Sequence, residues 1–231
     1  IMQPYFFPYL GYYSLIKHTD KWIVFDSVQF IRHGWIERNR ILKPQDGWQY
    51  ISVPLEKHTR ETLINNIKIN NEENWKDKIV RQLEHYKKRA PYYKEVMKLI
   101  DNIFQKKYYS IVDLNVSCLV EVCVYLQIDF NYSIFSEMNL EIAPVREPDE
   151  WALNICKAIN ADEYVNLPGG IEFFTREKFN NENIKLSFQK INIKPYNQHR
   201  TSFIPDLSII DVMMFNSKDE IKILLDNYEL I

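Results

Sequence analysis

The opening stretch of the chain, residues 1–30 with the sequence IMQPYFFPYLGYYSLIKHTDKWIVFDSVQF, constrains the fold more than any other segment. Pro4 and Pro8 each fix the backbone φ angle and disfavour helix in the residue before them. A helix is therefore predicted only from about Tyr9 to Lys17. The apolar run over residues 21–25 has the β-branched and aromatic character of a buried strand. The pattern predicts strand, turn, helix and strand, which is a right-handed βαβ crossover.

Polar side chains follow both predicted strands of this unit. Gln3, Asp26 and Gln29 lie at the carboxyl ends of the strands, where open α/β sheets bind their ligands. Tyr9 and Tyr12 form a Y-x-G-Y sequence where nucleotidyl-transferring Rossmann enzymes carry H-x-G-H. Tyrosine hydroxyls can hydrogen-bond a phosphate but supply no cation at neutral pH, so this motif serves as an indication of fold. The alternative is that these residues belong to the core.

Composition narrows the class of protein. The chain has 231 residues and a net charge of −2, so no broad basic face is available and we expect no nucleic-acid partner. Its apolar runs are too short to span a bilayer. The three cysteines have no metal-ligand spacing and are predicted to be buried thiols, for which the reducing cytoplasm is the simplest compartment. We therefore predict a cytoplasmic protein with no metal site and no membrane span.

The middle of the chain adds basic residues and a helical region. Arg38 and Asn39 are predicted to point into a cleft, and Lys57 follows a predicted strand, where each could contact a phosphate or carboxylate. Solvated loops are the alternative. Residues 72–128 show helical periodicity throughout and are predicted to form a helical insert. The remaining residues, 1–71 and 129–231, are predicted to form an α/β core domain with a mostly parallel Rossmann-like sheet, in which 185–191 is an edge strand because of its lysines.

A second concentration of polar residues occurs near the end of the chain, in PYNQHRTSFIPDLSIID over residues 195–211. Tyr196 and Gln198 crowd one loop, Ser208 or Asp206 could cap the following helix, and Asp211 falls in its first turns. Further upstream, the Pro-Gly-Gly sequence at 168–170 follows a predicted strand and is typical of a ligand loop or a plain turn.

With these motifs in view, the chain resembles the WbqC-like family nearly end to end. The segments that carry the resemblance are MQPYFFPYLGYYSLI at 2–16, FDSVQF at 25–30, WIERNRI at 35–41, YVNLPGG at 164–170, YNQHRTSF at 196–203 and PDLSIID at 205–211. One departure is that Phe215-Asn216 is followed by Ser217, where many relatives have glycine. The family is associated with bacterial O-antigen and related surface-polysaccharide clusters, some of which build amino sugars bearing amino-acid-derived acyl groups.

The resemblance implies an enzyme that modifies a nucleotide-activated amino sugar, with amide formation by N-acyl or aminoacyl transfer as the best interpretation. Such a reaction needs a base, for which Asp26 and Asp211 are the candidates, and a pyrophosphate site, for which Arg38, Asn39 and Lys57 are suited. The acyl donor would be a thioester or would be activated by ATP with Mg²⁺; the sequence leaves the cofactor undetermined. The alternative is a non-catalytic module that binds a sugar nucleotide or a partner enzyme. A homodimer is left open.

Overall fold

The computed structural model describes residues 1–231 and has eight α-helices and seven short strands, with 3₁₀ turns between them. The helices are α1 Leu10–Lys17, α2 Trp75–Leu83, α3 Tyr93–Gln105, α4 Ile111–Leu126, α5 Pro148–Ala158, α6 Arg176–Asn181, α7 Ile209–Phe215 and α8 Lys218–Leu225. The strands are β1 Trp22–Val24, β2 Arg38–Leu42, β3 Trp48–Ser52, β4 Tyr132–Ile134, β5 Glu163–Asn166, β6 Lys185–Ile191 and β7 Tyr228–Leu230. The mixed α/β class expected from the sequence is confirmed.

The strands form three small sheets instead of the single, mostly parallel sheet that the sequence predicts. β1 and β4 are parallel, β2 and β3 form an antiparallel hairpin, and β6 pairs with β5 in parallel and with β7 in antiparallel orientation. The predicted edge position of residues 185–191 is therefore wrong, because β6 is the central strand of its sheet. The five-residue connection between β2 and β3 is too short for a parallel crossover, which explains the hairpin.

The opening segment pairs with a sheet at one residue only. Met2 forms a parallel bridge to Val24, with Met2 N–H donating to Ile23 O at 2.9 Å and Phe25 N–H donating to Met2 O at 2.8 Å. Pro4 carries no N–H and fixes φ, so the strand cannot continue beyond this bridge. Proline therefore prevents the start of the chain from forming a longer parallel strand beside β1.

The helices of residues 72–128 share their core with the rest of the chain. α4 begins at its N-cap Ser110, whose Oγ accepts from Val112 N–H at 3.1 Å, and α4 packs on α8 while α3 packs on α7. One cluster of 50 buried apolar residues extends from Phe6 to Leu225 and includes all three helices. The separation of 72–128 from the α/β core as a distinct insert remains a prediction.

A second, smaller core lies between β5, β6, α5 and α6. It consists of eight buried residues: Ala152, Leu153, Cys156, Tyr164, Phe179, Ile184, Leu186 and Phe188. Residues of both cores face a common cavity, so the fold places that cavity where the two cores meet. In none of the eight helices is there an apolar stretch of the length needed to cross a membrane.

Candidate functional site

A cavity of about 700 Å³ opens between β5, α5 and the first turns of the chain. Aromatic and apolar side chains make up most of its wall, and a few polar groups converge on it, which is the usual composition of a small-molecule site. Its aromatic residues are Tyr5, Tyr9, Phe25, Trp35, Trp151, Tyr164, Phe173 and Phe174. Its polar side chains are Gln3, Asn39, Arg40, Asn166 and Asp206, and Gly169 and Gly170 also line it.

The turn around Phe7, which adjoins the lining residue Pro8, has an unusual backbone. Phe7 has a φ of 40°, a left-handed value that is costly for a bulky residue. Asn39 Nδ2 holds this turn by donating to Phe6 O at 3.0 Å and to Phe7 O at 2.9 Å, and Ser208 Oγ donates to Phe7 O at 2.8 Å. Asn39 is only 4% exposed. The two predicted binding residues Asn39 and Ser208 therefore use their polar atoms to shape the site.

The two tyrosines of the Y-x-G-Y motif have different surroundings. Tyr9 lies at the N-cap of α1 and lines the cavity; its ring packs so closely on Gly11 that a Cβ there would be 2.5 Å from Tyr9 Cζ. Burial raises the pKa of Tyr9 to about 12, with the charge of Asp206 adding to the shift, so its hydroxyl is a neutral hydrogen-bonding group at pH 7. Tyr12 is buried outside the lining and donates its hydroxyl to Gln3 O.

Arg40 is the one cationic side chain in the cavity lining. Its Nη2 donates to the backbone oxygen of Asp206 at 2.9 Å, and its guanidinium lies between the rings of Trp35 and Trp48, 5.4 and 5.3 Å from their centroids. Its Nε has no hydrogen-bond partner, although it is buried. The guanidinium is therefore fixed in place, with a buried Nε donor that no protein group satisfies.

Arg38, Lys57 and Gln29, which the sequence predicts to bind substrate, lie outside the lining. The Arg38 guanidinium stacks 4.1 Å from the centroid of the Tyr50 ring and donates to the backbone of His33 and Gly34. Gln29 is exposed and donates to Arg60 O, and Lys57 is exposed. Arg38 and Arg40 are two residues apart on β2, and alternation alone could not tell which one faces the cavity.

Asp26 also lies outside the lining, directly after Phe25, which lines it. The Asp26 side chain is 1% exposed, and its carboxylate accepts from Ser136 N–H at 3.1 Å and Ser136 Oγ at 2.6 Å. These bonds connect the end of β1 to the turn that follows β4. The contacts of Asp26 are those of a residue that positions the strand ends.

Asp211 is the centre of a buried hydrogen-bond cluster that does not line the cavity. Its carboxylate accepts from Tyr86 Oη and Tyr196 Oη, each at 2.6 Å, and from Gln198 Nε2 at 2.9 Å. Burial raises the pKa of Asp211 to about 6, although these three hydrogen bonds act in the opposite direction. Three of the predicted site residues, Tyr196, Gln198 and Asp211, are therefore in contact with one another. Their polar atoms are already hydrogen-bonded to protein groups.

The structure thus brings together part of the predicted set. Gln3, Tyr9 and Asn39 from the start of the chain share the cavity with Asp206 from its end and with the Gly169-Gly170 turn. Four further lining residues were not predicted from the sequence as site residues: Arg40, Asp206, Trp35 and Trp151. The signal available for Arg40 was its charge, two residues after Arg38. The signal available for Asp206 was its position as a candidate helix cap, two residues before Ser208. No sequence signal separates Trp151 from a core aromatic.

The chain is similar to known protein sequences over nearly its whole length. Residues 3–223 match the sequence model of the WbqC-like protein family, a range that includes nearly all of the cavity lining. A Mycobacterium tuberculosis protein described as Uncharacterized protein Rv1507c is 28% identical over 224 residues, which cover 94% of this chain and 92% of that protein. No solved structure matches. The chain belongs to the WbqC-like protein family.

Proposed function

We propose that the cavity binds a nucleotide-activated amino sugar and that the protein forms an amide on the sugar amine, as a step in making a bacterial surface polysaccharide. The observation that carries the proposal is the pairing of an aromatic-walled cavity of about 700 Å³ with a single guanidinium whose Nε is unbonded. Aromatic rings suit the faces of a base and a sugar, and a guanidinium suits a diphosphate.

The polar groups divide naturally between the parts of such a ligand. Arg40 would hold the diphosphate, because it is the only cation in the lining and its orientation is fixed by Trp35 and Trp48. Gln3 lines the cavity with its side-chain amide free of hydrogen bonds to protein, so it can bond to sugar hydroxyls. The phenol of Tyr9 offers a further hydroxyl at the N-terminal end of α1.

The chemistry requires one proton acceptor close to the amine. In the step we propose, the amine nitrogen attacks the carbonyl carbon of the acyl donor, a C–N bond forms, and the bond to the leaving phosphate or thiolate breaks. Asp206 has the one carboxylate in the lining, so we assign it as the group that accepts the amine proton. Asp26 and Asp211, the bases predicted from the sequence, are the alternatives to Asp206, and their carboxylates are bonded to other protein groups.

Removal of the Arg40 charge tests the binding half of the proposal. Arg40→Met keeps apolar contact with Trp35 and Trp48, and we expect it to weaken binding of a uridine or thymidine diphosphate amino sugar about tenfold, the effect of losing one charge-assisted hydrogen bond. Isothermal titration would measure the affinity. Arg38→Met is the matched control, since Arg38 lies on the same strand outside the lining. Loss of affinity in the Arg38 variant alone would move the diphosphate site to Arg38.

Carboxylate-to-amide variants test the catalytic half. We expect Asp206→Asn to bind the nucleotide sugar normally but to form N-acylated product about a hundredfold more slowly, the lower range for losing a general base. Asp26→Asn is expected to retain its rate. Product formation would be followed by mass spectrometry with a panel of acyl thioesters, and with carboxylic acids plus ATP and Mg²⁺. The reverse ranking of the two variants would restore Asp26 as the base.

The non-catalytic alternative makes a different prediction in the same assay. The lining contains one carboxylate and no histidine or cysteine, which is few groups for catalysis and compatible with a binding module. Such a module would bind the nucleotide sugar tightly and form no product over hours with either class of donor. Tight binding that depends on Arg40, without turnover, would therefore replace the enzymatic proposal with this one.

A further inference from the structure

A second cleft, separate from the cavity, is lined mainly by polar and charged side chains. It has a volume of about 540 Å³ and lies between the β2–β3 turn, the loop at 197–201 and Arg89. Pro44 is the one apolar side chain in its lining, and the cleft shares no lining residue with the cavity. The loop at 197–206 nevertheless contributes to both, with Arg200 in the cleft and Asp206 in the cavity.

Arg200 is the residue that makes this cleft unusual. Its side chain is 6% exposed, yet its Nε has no hydrogen-bond partner. Nη2 donates to Lys43 O, and Nη1 lies 3.9 Å from a carboxylate oxygen of Asp46, whose side chain is fully exposed. Because that pair is long and solvated, it contributes little, and a buried guanidinium is left with an unused donor.

Other groups give the cleft a positive potential. Arg89 is exposed and lines it together with His199, and Asp46 is the one carboxylate there. His85 is a neighbour of these groups: burial lowers its pKa, and the charges of Arg200 and Arg89 lower it further. Within the cleft lining, two guanidinium groups therefore face one exposed carboxylate, and the lining carries a net positive charge.

The loop that presents these groups is held firmly. His199 has a φ of 51° and donates its backbone N–H to Asn197 Oδ1 at 2.8 Å. Between them, Gln198 is anchored by bonds from its Nε2 to Ile204 O at 3.0 Å and to the Asp211 carboxylate at 2.9 Å. A strained residue kept in place by buried hydrogen bonds is a feature of ligand-binding loops.

We propose that this cleft binds a phosphate group, with Arg200 and Arg89 as its main contacts. A guanidinium presents parallel N–H donors that match phosphate oxygens, and the unpaired Nε of Arg200 is such a donor. The cleft is larger than one phosphate ion, so it admits a phosphorylated molecule such as a nucleotide or coenzyme A. The site is additional to the sugar-nucleotide cavity and does not depend on the function proposed for it.

Titration of inorganic phosphate into the whole chain, in chloride at constant ionic strength, tests this proposal. The imidazole C–H signals of His199 and His85 in NMR spectra are expected to shift saturably, while those of His18, which pairs with Asp226, stay unchanged. His199→Asn would assign the His199 signal, because asparagine tolerates positive φ. We expect Arg89→Gln to weaken the response about tenfold. Lys87→Gln, an exposed change on the same segment outside the lining, is expected to have no effect.

Arg89 is used for the test because it is exposed, whereas replacement of the buried Arg200 could unfold the loop. Parallel titrations with ATP and coenzyme A identify the source of the phosphate. Tighter binding of either than of inorganic phosphate points to that molecule, and equal affinities point to the free ion; both results support the site. The proposal is overturned if no signal saturates at tens of millimolar phosphate, or if Arg89→Gln and Lys87→Gln respond equally.

Discussion

Replacement of Asn39 by alanine is expected to lower the free energy of unfolding by about 3 kcal/mol, because it removes two hydrogen bonds to backbone carbonyl oxygens and leaves Phe6 O unpaired, while Phe7 O keeps only the bond from Ser208. The loss should exceed that of an ordinary surface asparagine because Phe7, one of the two acceptors, has a positive φ that the turn must hold against its own preference. For a chain of this length the thermal midpoint should fall by roughly 10 °C. Urea and thermal unfolding would measure both quantities.

Two further variants bracket that result. Asn39→Asp keeps the acceptor for Arg40 N–H but turns a carboxylate toward the oxygens of Phe6 and Phe7, so we expect it to be at least as destabilising as alanine. Asn180→Ala, an exposed change in α6, is expected to alter stability by less than about 0.5 kcal/mol. If Asn39→Ala changed stability no more than Asn180→Ala does, the turn would be held by Ser208 instead.

The second large expected effect is a dependence of the free energy of unfolding on pH, which arises from Asp211. Burial raises the pKa of its carboxyl from an ordinary value near 3.8 to about 6. The folded state therefore holds a proton that the unfolded state releases, so this contribution to stability is fully present below about pH 4 and is lost as pH rises through 6. A shift of about two units corresponds to about 3 kcal/mol. We expect the wild-type chain to lose that amount, relative to Asp211→Asn, between pH 4 and pH 7.

The comparison with Asp211→Asn isolates this residue from every other titrating group. The amide does not ionise, so the difference in unfolding free energy between the two chains should trace the titration of one carboxyl. Urea unfolding at half-unit pH steps would give the curve. A difference that stays constant across this range would show that Asp211 has an ordinary pKa in the folded chain, and that the tyrosine and glutamine donors outweigh its burial.

The sequence predicted local elements well wherever the signal was local. The helix after Pro8 and the boundaries of the strand at 185–191 depend on neighbouring residues, and the structure has them close to the predicted positions. Sheet order was predicted poorly, because it depends on partners distant in the chain. The lysines of β6 suggested an edge, yet β7, a strand with no strong pattern of its own, covers that side.

The same limit explains the outcome for the site. Gln3, Tyr9 and the Pro-Gly-Gly turn line the cavity because the motifs that contain them are fixed locally by proline and glycine. The sequence predicts Asp26 and Asp211 as bases because carboxylates near strand ends and helix starts are typical of active sites. Only the structure shows that the two carboxylates already accept hydrogen bonds, Asp26 from Ser136 and Asp211 from Tyr86 and Tyr196. These donors are at least 15 residues away in sequence.

The contact between α4 and the start of the chain has a consequence for how this protein can be shortened. Asn115 Nδ2 donates hydrogen bonds to the carbonyl oxygens of Pro4 and Ile36, each at 2.8 Å. Helix α4, in the middle of the chain, therefore supports the wall of the cavity. A version trimmed of residues 72–128 would keep every side chain that faces the cavity and still lose its shape. The cavity therefore depends on a helix that contributes no side chain to its lining.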